Sequence, residues 1–150
     1  MNNIFDPHIR IELSKRISQI QPNSQAEWGK MNSFQMLRHC TENERMLLRE
    51  KRFRRLFIGR LFGKLALKSN LKDESPLGKN SPTHPDLVIK EQGDVEKEKI
   101  RWMNLLEQYA TKSRDSYEGF IHPFFGKMNH DQVGKFAYKH IDHHLRQFGV

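Results

Sequence analysis

Residues 129–148 read NHDQVGKFAYKHIDHHLRQF, and the spacing of their apolar residues decides the fold class. Asn129, followed three positions on by Gln132, approximates the capping box that opens a helix. At about 100° per residue with Val133 at the origin, Ala137, Phe136 and Phe148 all fall within about 60° of it, so one face is apolar. His140 and His144 lie about 20° on either side of the same origin, one turn apart in the middle of that face. His143 sits at its edge, and Asp142 points to the opposite side. The stretch predicts an amphipathic helix that runs on to residue 150 and carries two imidazoles toward a core.

Three further stretches have the same period. Asp6 can cap a helix with Pro7 at its first position, and Ile9, Leu13, Ile17 and Ile20 then form a stripe that Pro22-Asn23-Ser24 ends. A second helix opens at Asn32 or Ser33 and runs to about Lys51, with Met36, Leu37, Cys40, Leu47 and Leu48 on one face and Arg38, Arg45 and Arg49 on the other. His39 falls on the flank between them. A third spans about Asp94 to Lys112, with Ile100, Met103, Leu106 and Ala110 as its stripe and acids in its first turns, the end that favours them. Strand signals are weak throughout. Four such helices predict an all-α fold, a four-helix bundle formed as one domain over residues 1–150. A long, partly helical connection joins the second helix to the third, and connections of that length are often functional.

Composition bounds the function. The chain has 150 residues, 26 Lys+Arg against 18 Asp+Glu and a net charge of +8, a balance compatible with an anionic partner. Cys40 is the only cysteine, so no intrachain disulfide forms and a reducing compartment is expected. The first residues lack a basic stretch followed by an apolar one, and no apolar run approaches the ~20 residues that span a bilayer. A soluble cytoplasmic protein with no membrane span is expected.

Two stacked imidazoles in a bundle interior need several hydrogen-bond partners where few exist. A metal ion answers that need, because it takes one lone pair from each neutral ring and leaves a single N–H to satisfy. His39, on another amphipathic helix and off its solvent side, is the best third ligand for His140 and His144. Glu42 and Asn43, one turn from His39, are candidate outer groups. His8, His84, His122 and His130 fall in loops or at helix starts, where solvated roles are expected. Cys40 neighbours His39 but lies on the apolar face, which predicts a small buried hydrophobe.

WGKMNSFQMLRHC (28–40) and HPFFGKMNHDQVGKFAYKHIDHHLRQFGV (122–150) resemble a branch of the DinB-like superfamily of DNA-damage-inducible proteins, which are distinct from the DNA polymerase that shares the name. GRLFGKLALK (59–68) and SPT (81–83) are in keeping with that branch. The resemblance implies a four-helix bundle, usually a homodimer, with a divalent metal on three histidines, which by position are His39, His140 and His144. It further implies zinc or nickel as the metal and a small-molecule substrate. The reaction it suggests is S-transfer with a low-molecular-weight thiol, or else hydrolysis by metal-activated water. For such chemistry Glu42, Asn43, His122 and His143 are the candidate catalytic groups, and nucleic acid is not the expected partner. A rival class is a non-catalytic binding module. Residues 49–68 interleave eight Lys/Arg and one acid with large apolar side chains, a composition suited to an anionic membrane or a phosphate backbone. Alternatively, the apolar side of that segment packs on the bundle or on a dimer partner and its basic side faces water.

Overall fold

The computed structural model describes residues 1–150. The chain is mostly helical, with five α-helices and one small two-stranded sheet: α1 (Pro7–Ser18), α2 (Ser33–Leu47), α3 (Phe57–Asn70), α4 (Val95–Thr111) and α5 (His130–Gln147), with β1 (Phe120–His122) and β2 (Gly126–Met128) between α4 and α5. Helices α1 and α2 each pack against both α4 and α5. Helix α3 lies in the long connection, outside that group, and packs on β2.

The starts of the helices follow the residues that cap them. The Asp6 side chain accepts from the His8 amide, with Pro7 in the first turn, which satisfies donors that the helix cannot. Asn32 with Gln35, and Asn129 with Gln132, form complete capping boxes at α2 and α5. The ends depart further from expectation. α1 tightens after Ser18, where Gln19 and Ile20 bond back three residues, and the Lys99 ammonium of α4 takes up the Ser18 and Ile20 carbonyls. α2 stops four residues early because Arg49 adopts φ +64°. The Glu50 and Lys51 amides then return to the Arg45 carbonyl, closing the helix with a left-handed residue where glycine is usual.

Two expectations are corrected. On α4, Leu106 is buried as expected, but Ile100 and Ala110 face solvent, and Trp102, Leu105 and Tyr109 turn to the core. The helix carries two interleaved apolar sets, and the one that holds Trp and Tyr removes more surface from water. The second correction is the antiparallel hairpin, in register Phe120↔Met128, Ile121↔Lys127 and His122↔Gly126. Its strands alternate buried, exposed, buried, and Gly126 supplies the positive φ its turn requires. Phe125 and His122 fold down on Phe136 of α5, with ring centroids 5.0 and 5.2 Å away.

Cys40 is a free, buried thiol, as its place on the apolar face of α2 predicts. Four positions along α2, Glu44 is buried completely. It accepts hydrogen bonds from Tyr109 Oη at 2.6 Å and Asn43 Nδ2 at 3.3 Å. No cation reaches it, so burial pushes its pKa up to about 7 against the bonds that lower it.

Candidate metal centre

Facing turns of α2 and α5 bring His39, His140 and His144 together, with ring centroids 4.7–5.1 Å apart. Their ligand atoms lie within 4.8 Å of one another, so the three residues could hold a metal ion. The two on α5 are adjacent turns of one helix, and His39 meets them because the apolar flank of α2 packs there. His39 and His144 are buried, and His140 keeps a part of its surface accessible.

Hydrogen bonds fix which nitrogens are free. The Leu87 carbonyl, in a 3₁₀ turn at Pro85–Leu87, lies 2.9 Å from His39 Nδ1. A carbonyl only accepts, so Nδ1 carries the proton and Nε2 is left a bare lone pair. Gln147 Oε1 lies 2.9 Å from His144 Nδ1. Its amide is turned that way because Gln147 Nε2 donates to the Trp28 carbonyl at 2.7 Å. His144 Nε2 is therefore also bare.

His39 Nε2 and His140 Nε2 approach to 3.2 Å. Two nitrogens at ~2.0–2.1 Å from one tetrahedral ion lie about 3.3 Å apart. The other pairs need to close by no more than about 1.5 Å to reach that spacing. Burial, and the neighbouring histidines, hold His39 below its ordinary pKa and His140 and His144 well below theirs. All three are neutral imidazoles near neutral pH, the ligating form. The buried Nδ1 of His140 has no hydrogen-bond partner. The donor set fits a divalent ion that accepts nitrogen ligands.

The candidate catalytic groups lie around this cluster without joining it. Glu42 is buried, but its carboxylate is bracketed by Arg38, Arg45 and Lys51 at 2.9, 3.1 and 2.6 Å. Burial opposes ionisation there, yet Lys51 and the two arginines hold the pKa below the usual range. Asn43 is turned to Glu44. His143 is half-buried, edge-on to His144 and to Trp28, and it lines a surface cavity of about 380 Å³ with Trp28, Lys79 and Arg146. His122 is buried rather than solvated. Its Nδ1 accepts the Phe124 and Phe125 amides and so braces the hairpin turn, and burial pushes its pKa down to about 3. Asp142 does face away from the three rings, but toward α1, where it is buried between Arg16 at 2.9 Å and Arg146 at 2.7 Å.

Sequence reasoning missed the groups that orient the rings. Gln147 stands three residues after His144 and could have been found by its helical spacing. The Leu87 carbonyl is contributed by backbone 48 residues away, with no local signal. Gln147→Leu is expected to weaken metal binding by about 10–100-fold, the usual cost of losing such a partner. Competition against a chromogenic chelator measures it, and unchanged affinity would show that Gln147 does not set the ring.

The chain is thus a mostly helical protein in which three histidines could hold a metal. Residues 10–149 match the family described as "Protein of unknown function (DUF1569)", and the chain belongs to that family. No curated protein and no solved structure matches it.

Proposed function

We propose that the protein is a metal-dependent enzyme whose divalent ion, zinc or nickel, is held by His39, His140 and His144. The observation that carries this reading is the convergence of neutral imidazoles, two of them with their outer nitrogens already committed to Leu87 and Gln147. Within this reading the family is a branch of the DinB-like superfamily. Helices α1, α2, α4 and α5 are its four-helix bundle, with one ligand from the second of them and two from the last. Its homodimeric state, cytoplasmic location and small-molecule substrate belong to the same reading.

Three protein ligands leave a coordination position free, the arrangement of catalytic rather than structural sites. An ion held there would supply Lewis acidity and lower the pKa of the group that it receives. The chain's own residues orient the rings. Glu42 is locked among cations, Asn43 is turned away and His122 holds the hairpin, which leaves His143, edge-on to His144, as the one candidate proton acceptor beside the rings. Hydrolysis needs such a group more than transfer of an already acidic thiol does, so S-transfer with a low-molecular-weight thiol is preferred to hydrolysis.

The test supplies chelated and zinc- or nickel-loaded protein with a small thiol and a panel of electrophiles, and follows free thiol. Thiol consumption that requires the metal and disappears in His140→Ala is expected. Metal-dependent ester or amide cleavage without thiol would replace transfer by hydrolysis, and no metal-dependent turnover of either kind would contradict the enzyme reading.

A further inference from the structure

The basic, apolar segment between α2 and α4 presents a face that the metal centre does not use. α3 has three sides. Gly59 and Gly63 point inward, and a Cβ on either would strike the Phe124 carbonyl, so the helix backbone lies directly on the hairpin turn. Leu67 completes this inner side. Phe57, Ile58, Leu61, Phe62 and Leu65 point outward and are 54–75% exposed. At about 100° per residue they span an arc of about 140°; Arg60 and Lys64 line one border of it and Lys68 falls just inside. The alternative in which this apolar side packs on the bundle is therefore overturned. The glycines decide it, because only they allow the close approach to Phe124.

The cations on this helix and just before it have no acidic partner. Arg52, Arg54, Arg55, Arg60, Lys64 and Lys68 have no carboxylate within ion-pair distance, whereas Arg38, Arg45 and Lys51 do. Three of the six precede the helix at its N-terminal end, whose first turn has no acid and no side-chain cap, the end at which cations are repelled by the helix dipole. A cleft of about 360 Å³ adjoins them, lined in part by Arg49, Arg52, Arg55 and the exposed Ile121 of β1.

We propose that α3 and this cleft form a docking surface for an anionic lipid bilayer. The outward apolar side chains would enter the headgroup–acyl boundary, with the flanking cations at the level of the phosphates. Charge complementarity selects this occupant. A second copy of the chain placed face to face would bring six unpaired cations from each side together, and residues 51–72 contain no acid to pair them. A phosphate backbone would meet the cations but leave Ile58, Leu61 and Leu65 in water.

The test is co-sedimentation of the full chain with vesicles of phosphatidylcholine alone, or with about 30% phosphatidylserine added, at about 0.1 M salt. Wild type is expected to sediment with the anionic vesicles only. Leu61→Ser/Leu65→Ser, whose side chains touch no core, should reduce that fraction at least ~10-fold with an unchanged helical spectrum. Arg60→Glu/Lys64→Glu should abolish the preference for anionic lipid. Three outcomes would overturn the proposal: no retention by anionic vesicles, retention equal in wild type and the serine variant, or a wild-type dimer that the serine variant dissolves. Salt-sensitive DNA retention in place of vesicle binding would overturn it as well.

Discussion

His140→Ala is expected to lose tight binding of zinc or nickel while the chain stays folded. The ring contributes one of three ligands, and its Nε2 already stands 3.2 Å from that of His39. Removal of a ligand should exceed the about 10–100-fold that loss of a supporting partner costs. Two ligands remaining on separate helices no longer enclose the ion. The stability readout separates this from misfolding. With zinc at about a hundredfold over its dissociation constant, wild type should gain about 2.7 kcal/mol and the variant nothing. In the metal-free state the two should lie closer together, because His140 Nδ1 is buried without a partner and its removal relieves that cost. Urea unfolding with and without zinc measures both differences. An equal zinc-induced gain in the variant would remove His140 from the site.

Glu44→Gln is expected to change how stability depends on pH. In the fold, burial raises the Glu44 pKa from 4.5 to about 7. The folded state therefore holds this proton more tightly than the unfolded chain. Its contribution is complete below about pH 4.5 and is lost as the pH rises through about 7. At ~1.4 kcal/mol per pKa unit, the loss amounts to roughly 3 kcal/mol. His39, His140 and His144 act with the opposite sign. Their folded pKa values lie below 6.5, so the unfolded chain takes up protons first and stability falls as the pH drops below about 6.5. Gln keeps an acceptor for Tyr109 and removes the titration. Chelated Glu44→Gln should thus lose less stability than wild type between about pH 5 and about pH 8, and keep its decline in acid. Identical curves from urea unfolding would mean that Glu44 is already ionised in the fold.

The parts of the fold that the sequence makes legible are those set by local chemistry. Asn32, Asp94 and Asn129 start their helices because their side chains bond backbone amides three residues on. The pairing of His140 with His144 follows from helical period alone. What depends on a distant partner could not be read. The apolar side of α3 gives the same pattern whether it faces in or out, and the backbone of Phe124 chooses. Ile100 and Trp102 both have apolar neighbours at helical spacing, and the competition is settled by what α1 and α2 offer. The hairpin escapes notice because each strand has three residues, too few for an alternation to stand out. The site divides in the same way. His39, His140 and His144 are visible as residue types at a spacing, and the bonds that turn their rings, from Leu87 and Gln147, depend on tertiary placement.

X-ray absorption at the metal edge of the protein loaded with one equivalent of zinc tests the proposed metal site most directly. Stoichiometric uptake and a first shell with three imidazole nitrogens at about 2.0–2.1 Å are expected, falling to two or fewer in His140→Ala. A first shell without imidazole, or one that His140→Ala leaves unchanged, would contradict it.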